Sequence, residues 1–244
     1  MLKTLRFLIA ATMGVRLGSD YEKDRVVIGV VAGDDERLLR GAMKAAKEGG
    51  FEVERIAAGG AAERTFRGIV TPVELTPEQV RAGSRIAARR MGELLGGKGK
   101  AGAIGEVANA GEALRGFLEE MKKFPGIELV SGQVGAPDPA EAAAVTRKMI
   151  AEHPDLTMLY AARAGIAMGA ARALEQDENR SLKLIGFGWT QALRDACLAG
   201  WIDSLVAADS FQAGYAAAKA IAQSGRPGGI EVVARLFSRE DMQA

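Results

Sequence analysis

From residue 25 onward the chain alternates between short apolar runs rich in β-branched residues and longer segments whose apolar positions recur every three or four residues. The run 25–32 (RVVIGVVA) predicts a buried strand. Gly33-Asp34-Asp35 follows as a turn and helix N-cap, 36–48 has helical spacing, Gly49-Gly50 stops the helix, and 51–56 predicts a second strand. Strand, helix and strand joined by short turns form a βαβ unit, with parallel strands and a right-handed crossover. Residues 57–77 are irregular, with Gly59-Gly60 and two prolines. A long helix over 78–95 is then broken by Gly96-Gly97-Lys98-Gly99-Lys100.

Beyond that break the alternation continues. Strands are predicted over 101–105, 127–134, 156–161, 182–187 and 204–207, and helices over 111–124, 139–152, 166–175, 191–199 and 211–224. Such a series predicts a doubly wound α/β architecture, in which ligands bind outside the carboxyl ends of the strands. Here those ends are the loops that begin near Ala32, Gly105, Val134, Ala161, Phe187 and Ala207. The N-terminus stands apart. A basic start (MLKTLR) leads into an apolar run over 7–15 that Arg16 ends. The run is too short to span a bilayer. It is either a signal peptide over 1–18, though without a clear A-x-A cleavage site, or a first strand over 5–11.

Composition narrows the chemistry. Of the 244 residues, 32 are Lys or Arg and 31 are Asp or Glu. With no basic stripe, nucleic-acid binding has no electrostatic footprint. One cysteine, Cys197, and one histidine, His153, preclude an internal disulfide and a Cys/His zinc site. A nucleophile–base pair would need His153, which lies in Glu152-His153-Pro154-Asp155, where a turn capping a helix end is expected because X-Pro disfavours helix. No enzyme activity, metal or cofactor is therefore expected. Gly92-x4-Gly97-Lys98 lacks the Ser/Thr of a phosphate-binding loop and follows a helix rather than a strand, so it reads as a helix end. Gly102-x-x-Gly105 lacks the first Gly-x-Gly pair of a dinucleotide fingerprint. Asp34-Asp35-Glu36 reads as helix capping rather than a metal cluster, and Glu119-Glu120 with Lys122-Lys123 as a solvated helix face.

Four segments carry a family resemblance: MGELLGGKGKAGAIG (91–105), NAGEALRGFLEEM (109–121), AEHPDLTMLYAARAGIAMGAARALE (151–175) and LKLIGFGWTQALRDACLAGWIDSLVAADSFQAGYAAAKAI (182–221). In order and spacing the chain from 25 to 242 resembles the type I periplasmic binding proteins, the family of ribose-binding protein and the lac-repressor core. The resemblance implies an α/β protein of two doubly wound, Rossmann-like lobes joined by a three-crossing hinge. The expected crossings lie near Lys100, Ala208 and Val233. The N-terminal lobe is expected over 1–100 plus 209–234 and the C-terminal lobe over 101–208 plus 235–244, with VVARLFSREDM as the last crossing strand. The first lobe looks incomplete. VVIGVVAGDDERLLRGAMKAAKEGGFEV aligns best with that lobe's third strand, helix and fourth strand, or alternatively with its first strand and helix. A shortened lobe should expose apolar sheet surface for a partner to cover.

The resemblance further implies a periplasmic or extracellular solute-binding subunit of an ABC importer, working with an ABC permease and holding a small molecule between its lobes. A cytoplasmic location is the alternative compartment. A dimeric interaction or sensor protein of the same fold, with a vestigial ligand site, is the alternative function. A cytoplasmic repressor is less suited, because 24 residues before Arg25 cannot supply a DNA-binding headpiece. Sugar-binding members usually present an arginine near Gly111, an aromatic near Pro137, an asparagine near Arg163 and an aspartate at Gly188. The resemblance implies a sugar ligand, while the absence of these residues weakens that expectation and leaves a non-sugar or anionic ligand as the alternative. The candidate ligand residues are Asn109, Asp138, Arg163, Trp189 and Asp209, all at or just beyond strand ends. Arg163 could fork to a carboxylate or phosphate and Trp189 could stack on a flat ligand face. Asn109 and Asp209 could equally cap the helices that follow them.

Overall fold

The structure is a computed structural model that describes residues 26–32, 35–57, 66–72, 74–106, 111–177, 181–226 and 229–243. The expected signal peptide or first strand, and Asn109, lie outside the described residues. The chain divides into two compact units, 1–73 with 209–232 and 74–208 with 233–244, so it passes between them three times.

The first unit holds β1 (Val27–Val30), α1 (Glu36–Gly49), β2 (Glu52–Arg55), β3 (Gly68–Val70) and α7 (Ser210–Ser224). Its three strands are parallel in the order β2-β1-β3. β3 escaped the sequence pattern because three residues are too few to show a period; only its pairing with β1 defines it. The order also decides the alignment. Third and fourth strands of a doubly wound sheet extend it in one direction, whereas β1 has its partners on opposite sides, the reversal found where such a sheet begins. The preferred alignment with the third strand is thus corrected to the first strand and helix. Helices α1 and α7 cross almost backbone to backbone: a Cβ on Gly41 would sit 2.0 Å from the Phe211 carbonyl oxygen, and one on Gly214 would sit 2.0 Å from that of Leu38. The expected exposed apolar sheet is not found among the described residues. Val27, Ile28 and Val30 of β1 are buried, and the large apolar side chains left exposed, Met43 and Val233, are not on this sheet.

The second unit holds α2 (Pro77–Leu94), β4 (Lys98–Glu106), α3 (Glu112–Met121), β5 (Gly126–Val134), α4 (Pro139–Glu152), β6 (Met158–Ala161), α5 (Ala164–Gln176), β7 (Lys183–Phe187), α6 (Gln191–Leu198), β8 (Ser204–Ala208), β9 (Ala234–Ser238) and α8 (Arg239–Gln243). The sheet order is β5-β4-β6-β7-β8-β9, parallel except for β9. Each face carries its own core. One cluster joins α4, α5 and α6 to the sheet through Met149, Ile166, Leu174, Leu193 and Cys197. The other joins α2 and α3 through Ala87, Met91, Phe117 and Met121, with Tyr160 from β6. Phe117 and Tyr160 stack at 4.2 Å between ring centroids, and the buried Tyr160 hydroxyl donates to Ser84 Oγ on α2 at 2.9 Å. This packing moves the expected first crossing from near Lys100 to ahead of α2. The helix buries its apolar face in the core of the second unit and cannot belong to the first lobe.

The α2–α3 pair also corrects the reading of Glu119-Glu120 as a solvated face. Arg81 pairs with Glu112, Arg85 with Glu119 and Arg89 with Glu120. The Glu120 side chain is 6% exposed, and hydrogen bonds from Lys123 and Arg89 outweigh its burial and hold its carboxyl below the usual range. His153 ends α4, its N–H donating to the Met149 carbonyl.

Candidate functional site

The sheet of the second unit reverses direction between β4 and β6. The connection after β4 runs through α3 on one face, and that after β6 runs through α5 on the other. At such a switch point the two following helices diverge, leaving a crevice beyond the carboxyl ends of the strands. A cavity of about 320 Å³ lies there, within the roughly 300–1,000 Å³ range of small-molecule sites. Its wall is built from the β4 end at Glu106, the first turn of α3, the β6–α5 turn at Ala162, Arg163 and Ala164, the β7 end at Phe187 and Gly188, and Val80 of α2.

Two local features shape it. Gly188 has φ 112°, and a Cβ there would sit 2.9 Å from that of Ala164. A side chain at this position would be strained and would strike the start of α5. The second feature is helix capping. The starts of α1, α2, α4, α6 and α7 each receive a side-chain hydrogen bond, from Asp35, Thr76, Asp138, Thr190 and Asp209. Those of α3 and α5, with Gly111 and Arg163 at the N-cap, receive none. The first N–H groups of a helix have no partner within it. Among α1 to α7, the two described without a side-chain cap bond are the two whose first turns line the cavity.

The cavity's charges differ in how far they are already engaged. Glu112 takes Arg81 Nε on Oε2 at 2.6 Å and Arg115 on Oε1 at 3.3 Å. Glu106 faces Arg163 Nε at 3.2 Å, close enough for an ion pair but without hydrogen-bond alignment, and its buried Oε1 accepts no hydrogen bond among the described residues. The Arg163 side chain is 58% exposed. Phe187, Leu114, Val80, Ala162 and Ala164 supply the apolar wall.

Of the residues expected from the sequence, Arg163 is the one that lines this cavity. Asp138 is exposed and spends one carboxylate oxygen on the N–H groups of Ala140 and Glu141. Trp189 is half-buried, edge-on to Phe237 of β9 at 5.4 Å, and packs against the core. Asp209 is buried in the first unit and accepts from the Gln212 N–H at 3.2 Å. Glu106 and Phe187 were missed. Both are last residues of their strands, and that position was the available signal. Neither remaining reactive group suggests chemistry here. The Cys197 thiol is buried, which pushes it up to about 11, and among the described residues no group of His, Cys, Asp and Glu is arranged to hold a metal ion.

A doubly wound sheet with an apolar-walled cavity at its switch point is an arrangement in which α/β proteins commonly hold small molecules. A family profile described as "Periplasmic binding protein domain" matches residues 76–226, more than half of the chain, and the chain belongs to that family. It is 29% identical over 119 residues to a D-apiose import binding protein of Paraburkholderia graminis, covering 48% of this chain and 38% of that protein. It is 30% identical over 138 residues to a D-ribose/D-allose-binding protein of Pseudomonas aeruginosa, covering 53% and 42%. The chain thus matches less than half the length of these relatives. Its fold is similar to that of AraP, an arabinose binding protein from Geobacillus stearothermophilus, with a TM-score of 0.70, 19% identity and coverage of 90% of this chain and 98% of that one.

Proposed function

We propose that this chain is the solute-binding component of an ABC importer, acting outside the cytoplasmic membrane and delivering a small polar molecule to a permease. The observation that carries the proposal is the cavity at the β4/β6 switch point, which pairs two helix starts lacking side-chain caps with an exposed guanidinium and an apolar wall. Family membership and relatives named for the import or binding of pentoses and hexoses support the same reading. Arg163 and Glu106 make the polar contacts, and Phe187 packs against the carbon skeleton. Asp138 and Asp209 act through the helices they cap, and Trp189 through its packing.

A thermal-shift screen of the full chain with sugars, polyols, nucleosides and organic acids tests this. A ligand that binds the native state stabilises it by RT ln(1 + [L]/Kd), about 2.7 kcal/mol at a hundredfold excess over Kd. A ligand that raises Tm in a dose-dependent manner is the expected result. A silent screen with a dimer in light scattering would favour the interaction or sensor protein with a vestigial site.

A further inference from the structure

We infer that the switch-point cavity selects a polyhydroxylated carboxylate, a sugar acid, over the corresponding neutral sugar, with Arg163 as the selecting residue. The inference rests on the solute-binding reading above and adds the ligand class.

The argument turns on which polar groups remain uncommitted. A neutral hydroxyl both donates and accepts, so a site for an uncharged sugar balances donors against acceptors. A carboxylate only accepts. Around this cavity, both Glu112 oxygens are already engaged by Arg81 and Arg115. Arg163 meets Glu106 through Nε alone, and among the described residues its Nη1 and Nη2 hold no partner. Those two nitrogens form the parallel fork that matches a carboxylate. The first N–H groups of α3 and α5 lack side-chain caps on the same wall, and their helix dipoles favour negative charge. Among the described side chains of the wall, Arg163 is the donor left free on two nitrogens and Glu106 the carboxylate left to accept from a ligand hydroxyl. One carboxylate, several hydroxyls and a carbon skeleton against Phe187 satisfy the whole set.

Isothermal titration of the full chain with D-gluconate and D-galacturonate, each beside neutral D-glucose or D-galactose, tests the inference. The acids should bind roughly 10- to 100-fold more tightly than their neutral partners, the range expected for a charge-assisted fork. Arg163→Gln should remove that preference, weakening the acids roughly 10- to 100-fold more than it weakens the neutral sugars. Arg163→Lys should restore part of it, because the charge returns without the fork. Arg163 is exposed, so both variants should keep the parent circular dichroism and Tm. Neutral sugars binding as tightly as the acids, or an acid preference that survives Arg163→Gln, would overturn the inference and leave the solute-binding reading intact. If none of the four probes binds while another neutral metabolite does, the ligand class is wrong. If no small molecule binds at all, both readings fall.

Discussion

The two units are built by the same rule, parallel strands alternating with helices, yet only the second leaves some of its helix starts without a side-chain cap. In the first unit Asp35 and Asp209 fold back onto the N–H groups of α1 and α7. In the second unit α3 and α5 begin without such a bond, and both begin on the cavity wall. A carboxylate just past a strand end is therefore not a ligand group by default. If the next helix starts within its reach, it satisfies that helix. Where the cap is Gly111 or Arg163, the N–H groups remain for something else. The units also hold their helices together differently. α1 and α7 meet at Gly41 and Gly214, and α2 and α3 likewise at Gly116, where a Cβ would sit 2.4 Å from the Arg81 carbonyl oxygen, but α2 and α3 add a row of Arg–Glu pairs.

That contrast can be broken from either side. The largest effect belongs to the second unit. Phe117→Ala removes a fully buried ring stacked on Tyr160 and should cost about 3–5 kcal/mol, read by urea denaturation with hydrogen exchange to locate the loss. Protection that falls in the first unit as much as in the second would erase the independence of the two cores. Next comes Asp35→Ala. Arg37, with a side chain only 6% exposed, donates to Asp35 from Nε at 2.9 Å and from Nη2 at 2.8 Å. Removing the carboxylate takes both of these bonds from a nearly buried guanidinium and should cost about 3 kcal/mol, confined to the first unit.

The same pair predicts a pH dependence. Burial raises the Asp35 carboxyl, but hydrogen bonds from Arg37 and Ser210 and the Arg37 charge outweigh it, and the net shift is downward. A carboxyl whose folded value is depressed stabilises the fold fully above its unfolded value, about 3.9, and the contribution is lost as pH falls through the folded value. The stability gap between the parent and Asp35→Asn should therefore be full at pH 6 and close below about pH 4. A gap that does not narrow at all as pH falls from 6 to 2.5 would mean that it does not come from the ionised carboxyl.

Gly188→Ala sharpens the comparison at the cavity. Its φ of 112° makes an alanine strained by about 1–2 kcal/mol. Because the new methyl would press on Ala164, ligand affinity should fall more than Tm does. Smallest is Asp138→Ala, an exposed cap that should cost about 1 kcal/mol and leave affinity unchanged. A large loss of affinity there would return Asp138 to the ligand site.

Most helices and strands of the second unit were legible from 101 onward, because periodic apolar residues, Pro139 after Asp138 and stop signals such as Gly200 and Gly225 are local facts of the chain. The strand-end rule likewise pointed to the loops that form the cavity. Three things required tertiary structure. β3 is a strand only because β1 lies beside it. α2 belongs to the second unit because its apolar face packs against α3 and over β8 and β9, which periodicity alone cannot assign to one sheet or another. The fates of Asp138, Trp189, Asp209 and Arg163, all plausible ligand residues by position, were decided by what each side chain met first: its own helix, Phe237, its own helix, and an open cavity beside Glu106. Sequence spacing determines which residues arrive at a strand end. Only packing decides which of them still have a hydrogen bond to offer.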